Sequence, residues 1–410
     1  MQSASPASRT EQLARHAAAL LGLSIPISVA LDNVLLALVA VLWLTGGDLK
    51  RKLTDIAANP VALAALALFG MMVAGLLYGS RYPGDGLRYL GKYVDLLFIP
   101  ILITLFRDAS VRELALRWFC VAMILTFIVA ELTALGVLEG GSWLYRPLGY
   151  QGAFKPPITH GLFSAFAAFL FALLAQRETR WPERILFGVL ALVAFKNVVL
   201  IAISRTAYLV LALLILYFSF ALFRKRGLVT ACLILAALFV AAYGSSEAFR
   251  ERVDTVMVES GNWRPQWPSR ESVTLRQEWY RGSYEIVRSH PILGAGTGSF
   301  PRAYAEAVKD PERNKIQNPH NEYLLIAVQT GLVGLVLLLH LFWRQLILAR
   351  RLASPLEMHL AYGLVITIAV GCLFNSLLLD HTEGLLYAWF TGLLYGGLRS
   401  PPSSDQDRAQ

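Results

Sequence analysis

Stretches of roughly 15 to 25 apolar residues, separated by charged or Gly/Pro-rich breaks, recur along the whole chain. They fall at about 13–30, 33–46, 60–79, 88–106, 113–138, 157–175, 184–203, 206–223, 228–244, 321–343, 356–379 and 383–398. The pattern predicts an all-α polytopic membrane protein with about twelve transmembrane helices. The first two runs are short, and "SVALDNVLLAL" fits equally inside one long helix, which inverts the sidedness of everything downstream.

Charge decides between the two. If the N-terminus is cytoplasmic and both short runs cross, the inside segments hold Arg9 and Arg15, then Lys50, Arg51 and Lys52, then Arg107, Arg112 and Arg117. Further inside segments hold Arg177, Arg180 and Arg184; Arg224, Lys225 and Arg226; Arg344, Arg350 and Arg351; and Arg399 and Arg408. Each has a basic cluster, as the positive-inside rule requires, whereas the outer side holds mainly Arg81, Arg88, Arg146, Lys155 and Arg205.

At 56% hydrophobic and 16% charged residues over 410 positions, with mean hydropathy +0.53, the composition excludes an ordinary soluble enzyme. The net charge of +9 is largely topology, and no basic, aromatic-interleaved soluble segment points to nucleic acid. Without a small-x-small cleavage site the first run reads as an uncleaved span. Cys120, Cys232 and Cys372 fall inside apolar runs and read as small core hydrophobes.

The domains that follow are spans 1–9 over 1–244, an outer, mainly helical loop over 245–318, spans 10–12 over 319–399, and a disordered cytoplasmic tail over 400–410. Within the loop a helix beginning near Ser272 runs to "SHP", where a Gly-rich turn starts. Its glycines at 294, 296 and 298 do not fit a dinucleotide fingerprint, so the turn reads as a return to the membrane rather than a phosphate loop. On that helix Arg281 and Arg288 each have Glu285 at helical spacing, while Arg276 has Ser, Val, Trp and Tyr at its neighbouring positions. Arg276 is therefore the candidate for an external anion.

Arg205 sits in a short hinge near the start of a span, where helix amides also favour anions; the alternative is an anchor to lipid headgroups. His320 follows "NP", so Asn318 is the expected cap and Pro319 the expected first turn of the tenth span. A first-turn histidine is kept neutral by the positive helix end and is available as a proton acceptor; the alternative is a solvated interfacial ring. Asp95, Glu131 and Lys196 lie at a common depth of about 10 Å in three spans, as a structural cluster or the floor of a cavity. Asp380, His381 and Glu383 form a polar hinge on the outer side.

"SRTAYL", "LRQEW" followed by "HPILGAGTGSF", and "HNEYLLIAVQTGLVG" occur in that order. Together they resemble the O-antigen ligase family, within the superfamily it shares with O-antigen polymerases and bacterial protein O-oligosaccharyltransferases. The resemblance is strongest from about Ser204 to Gly334, and in its last segment His320 and Asn321 precede Gly331 and Gly334 at the ligase spacing. It implies a GT-C-type membrane glycosyltransferase architecture with Arg205, Arg276 and His320 as the essential basic residues.

It also implies transfer of O-antigen from undecaprenyl pyrophosphate to a sugar hydroxyl of lipid A-core, at the periplasmic face of the bacterial inner membrane. On that reading His320 is catalytic, Arg205 and Arg276 hold the pyrophosphate, and Arg88, Arg146, Asn321 and Asp380 are secondary candidates. The partners are the lipid-linked donor, the lipid A-core acceptor and membrane lipids. No cofactor is expected, nor a metal, since the outer segments lack a DxD triplet or paired-histidine spacing. The rivals are an O-antigen polymerase, a protein O-oligosaccharyltransferase and, from another class, a lipid-linked glycan flippase.

Overall fold

The computed structural model describes residues 8–79, 86–138, 152–245, 247, 250–251, 253–254, 272–308 and 315–398. Arg146, the 400–410 tail and most of 246–271 lie outside the described residues.

Helices α1 (Arg9–Ser24) and α2 (Val29–Thr45) pack on one another, so the two short apolar runs are two helices. Ser28 caps α2, and the Ser24 hydroxyl donates to Asp32 at 2.5 Å across the pair. Next comes α3 (Leu49–Ala58), bent 111° from α2, where the sequence predicts only a basic loop. Its start is stabilised by Asp48, which accepts from the amides of Lys50 and Arg51. Asn59 caps α4 (Pro60–Tyr78), with Pro60 at the first position, where the missing amide costs nothing.

The 88–106 run is split into α5 (Gly86–Lys92) and α6 (Asp95–Leu105). There follow α7 (Ala109–Ala134), α8 (Pro157–Arg177) and α9 (Trp181–Lys196), the last running into a π-helical turn over Asn197–Ala202. Helix α10 (Arg205–Ser245) breaks at Arg224, with φ 57° and ψ −142°, inside the basic "RKR" that separates two predicted runs. The outer loop contributes α11 (Ser272–Ser289) and α12 (Phe300–Ala307); α13 (Glu322–Leu348), α14 (Pro355–Gly371) and α15 (His381–Gly396) complete the bundle.

Among the described residues six helices are long and apolar enough to cross a membrane, or seven if the bent α2–α3 pair counts as one span. The chain is a multi-pass membrane protein, but the count of twelve exceeds what length and apolarity alone support. The difference lies in helices such as α1 and α15, of 16 residues each, and in α10, which passes the test as one element. Helix α15 is buried over nearly its whole length, with Trp389 edge-on to Phe106 and Phe390 and its indole N–H donating to the Ala18 carbonyl at 2.8 Å.

The Gly-rich return after α11 is wedged between α4 and α13. Its amides are spoken for: Ala295 donates to Val328, Gly296 to Gln329, Thr297 to Gly75, and Gly298 to the Gln329 side chain. No phosphate cradle is left, and the turn reading holds. Helix α13 breaks at Gly331, φ 65° and ψ −163°, and the freed amides of Leu332 and Val333 donate to the carbonyls of Pro291 and Ile292. Irregular backbone inside an apolar bundle is tolerated when neighbouring protein groups satisfy it in this way.

Candidate active site

Three stretches of backbone meet at the end of the bundle where α10 and α13 begin. The π-helical turn after α9 ends at Ile203, φ 45°, and Arg205 opens α10 two residues later. A β-branched residue in the left-handed region is strained, and such strain persists only where the surroundings impose it. Arg205 is exposed, while Thr206 beside it is buried and accepts from Asn375 at 3.4 Å, tying this start to the 372–380 turn.

Helix α11 lays Arg276, Trp279 and Tyr280 over the segment before α13. The Trp279 and His320 rings lie 5.0 Å apart at 34°. Tyr280 donates to the Leu373 carbonyl at 3.0 Å and reaches the His320 carbonyl at 3.4 Å. Arg288 pairs with Glu285 at 4.0 Å, as helical spacing predicts. Arg276 is half-buried and forms no ion pair or hydrogen bond among the described residues. Burial pushes its guanidinium below the ordinary arginine value, and Arg205 nearby adds to that push against a smaller opposing effect of Tyr280. Two guanidiniums in mutual range with no carboxylate between them leave a positive field for an outside anion.

The cap differs from the one expected. Asn321 is the N-cap of α13, extended at φ −154°, with its side-chain oxygen accepting from the Leu324 amide at 3.0 Å. Asn318 instead closes a local turn by accepting from the His320 amide at 2.9 Å, and also accepts from Ser376. His320 thus precedes the helix, in the left-handed region at φ 50°. Its imidazole does sit below the ordinary histidine value, first because of burial and second because of Arg276, not because of the helix end. The neutral ring expected from the sequence is retained for a different physical reason.

The next residue, Glu322, was missed in the sequence. It is fully buried, accepting from Tyr93 at 2.7 Å and from the amides of Leu378 and Leu379 at 2.9 and 3.3 Å, so it clamps the start of α13 to the 372–380 turn. Asn321 adds a bond to the Leu373 carbonyl. A carboxylate one turn inside an apolar run was the available signal.

The expected trio of intramembrane charges divides. Lys196 pairs with Glu131 at 2.5 Å, and Asn197 reaches both Glu131 and His160. Asp95 instead faces His381 at 3.3 Å on the α15 side, in a second buried group with the Asp32–Lys155 and Glu383–Thr159 pairs. Equal depth did not mean a shared site. Arg88 is exposed on α5, whose Tyr89 donates to the Gln317 carbonyl, and Asp380 is exposed at the cap position of α15. Among the described residues no group of His, Cys, Asp and Glu has the geometry to hold a metal ion.

Residues 190–339 match the family model described as O-Antigen ligase, a stretch that starts in α9, contains Arg205, Arg276 and His320, and ends in α13. No curated protein matches the chain.

Proposed function

Residues 190–339 carry the domain of the O-antigen ligase family, and on that premise we propose that the protein transfers O-antigen from undecaprenyl pyrophosphate to a sugar hydroxyl of lipid A-core. In this reading the chain crosses the bacterial inner membrane about twelve times. The end bearing Arg205, Arg276 and His320 faces the periplasm, as the basic clusters on the opposite loops imply.

A compartment without nucleotide sugars needs a pre-activated donor, which a lipid pyrophosphate is. The acceptor oxygen attacks the anomeric carbon, the bond from that carbon to the phosphate oxygen breaks, and the pyrophosphate leaves with the electron pair. Arg205 and Arg276 stabilise the charge that develops on it, being permanently ionised and suited to phosphate oxygens. The acceptor's proton passes to the His320 imidazole, which burial and Arg276 hold in the neutral form. A single displacement inverts the anomeric configuration. The reaction is expected to need no divalent metal, so transfer is unchanged in excess EDTA.

The observation that carries this reading is the pair of guanidiniums, with no carboxylate among the described residues, beside a neutral histidine. The test mixes purified protein in nanodiscs with lipid-linked O-antigen and lipid A-core, wild type beside His320→Ala, and follows lipopolysaccharide on a gel. Loss of the general base should lower transfer by roughly 10²- to 10⁴-fold. Lengthened glycan on the lipid carrier, with lipid A-core left bare, identifies a polymerase instead; retained configuration rejects the single displacement.

A further inference from the structure

At the opposite end of the bundle from His320, a cavity of about 210 Å³ opens between the α3–α4 elbow, the end of α6, the turn after α13 and the end of α15. Arg107 and Arg351 line it, with Asp55 as its one carboxylate and Pro60, Ile103 and Leu398 among its apolar walls. Arg107 forms an ion pair with Asp55, yet its side chain stays 55% exposed, so much of the guanidinium still faces outward. The carbonyl end of α6, which repels an anion, is already covered: Arg112 donates to the Phe106 and Arg107 carbonyls at 3.1 and 2.9 Å. Two guanidiniums against one carboxylate leave the cavity with net positive charge.

Its rim is built for a lipid. Helix α3 turns 111° from α2, so it crosses the bundle end instead of running along it. Leu49 and Leu53, one turn apart, are exposed at 44% and 54%, while Lys52 and Ile56 face inward and Lys50 and Arg51 flank the exposed leucines. An amphipathic helix in that attitude lies at the boundary between acyl chains and headgroups. We propose that the Arg107–Arg351 cavity binds the phosphate of an anionic phospholipid, whose chains lie against the exposed leucines of α3. Free phosphate shares the charge but has no use for the leucines or the apolar walls. The site is separate from the one at Arg205, and its occupancy does not depend on which reaction occurs there.

Native mass spectrometry of the full-length protein, released from micelles doped with phosphatidylglycerol, phosphatidylcholine or inorganic phosphate, tests this. Wild type should retain phosphatidylglycerol over phosphatidylcholine, and the Arg107→Gln/Arg351→Gln double variant should lose about thirtyfold, about fivefold per arginine near an anionic headgroup. Asp55→Asn supplies the opposite sign, because it removes the carboxylate that competes for Arg107, and should tighten retention. That gain cannot come from misfolding. Equal retention of the two lipids, unchanged retention in the double variant, no gain in Asp55→Asn, or displacement of the lipid by millimolar inorganic phosphate each overturns the proposal.

Discussion

Gly331→Ala places a methyl group where the backbone has no room. A Cβ there lies 2.1 Å from the Ile292 carbonyl oxygen, and reaching the 3.4 Å of ordinary contact moves that strand of the Gly-rich return by about 1.3 Å. The backbone at φ 65° and ψ −163° is also a conformation that side-chain-bearing residues avoid. That strain, at about 1–3 kcal/mol, adds to weakening of the Leu332–Pro291 and Val333–Ile292 bonds. The two bonds contribute about 0.5–1.5 kcal/mol each, giving a loss of roughly 2–6 kcal/mol. The displaced strand continues directly from α11, which carries Arg276. A misplacement of about 1 Å in a positioning element costs on the order of 10²-fold in rate. Transfer of lipid-linked glycan by the purified variant should fall by about that factor, with a lowered melting temperature in the same detergent. Gly334→Ala is the control: its Cβ meets the Thr330 hydroxyl, which can rotate away at the cost of its 2.8 Å bond to the Ile326 carbonyl, or about 1 kcal/mol. If Gly331→Ala transfers within threefold of wild type and melts unchanged, the wedge does not position the site.

Arg276→Gln should raise the titration midpoint of His320, followed by NMR of the labelled imidazole, because it removes the cation that helps burial hold that midpoint down. Since the folded value lies below the ordinary 6.5, the unfolded chain takes up a proton first as pH falls, so His320 withdraws stability in acid and transfer fails only below that ordinary value. Arg276→Lys should leave donor binding impaired by isothermal calorimetry, because an ammonium loses the two-pronged grip on phosphate oxygens; full restoration rejects the assignment. Glu322→Gln turns an amide toward the Leu378 or Leu379 N–H or the Tyr93 hydroxyl and should lower stability by about 1–3 kcal/mol, read by thermal unfolding.

The sequence exposed whatever depends on spacing along one element. Arg276 stood out because no carboxylate shares its helical face, and the structure gives it no ion pair among the described residues. The break at Arg224 followed from the charges of "RKR" in an apolar run. What depends on azimuth or on backbone torsion was hidden. Asp95, Glu131 and Lys196 have similar depth, but depth says nothing of which neighbour a helix face meets, and Asp95 turned toward His381. Either Asn318 or Asn321 is an acceptable cap by residue type, and only the left-handed turn at His320 decides for the second. Helix α3 was unreadable as a helix because its charges look like an ordinary basic loop.

The first and last helices close on each other, and this dictates when the protein can be finished. The Ala18 carbonyl waits for the indole of Trp389, the Asn59 amide for the Tyr395 carbonyl, and Asp95 for His381, each more than 280 residues later in the chain. A ribosome supplies these partners only at the end of synthesis, so the early helices enter the bilayer with polar groups unsatisfied. A carboxylate in that position is costly in lipid. Nascent chains halted before α15 therefore carry a built-in mark of incompleteness, legible to the membrane's proteases and insertion factors, and release into the bilayer as a settled protein awaits the last helix.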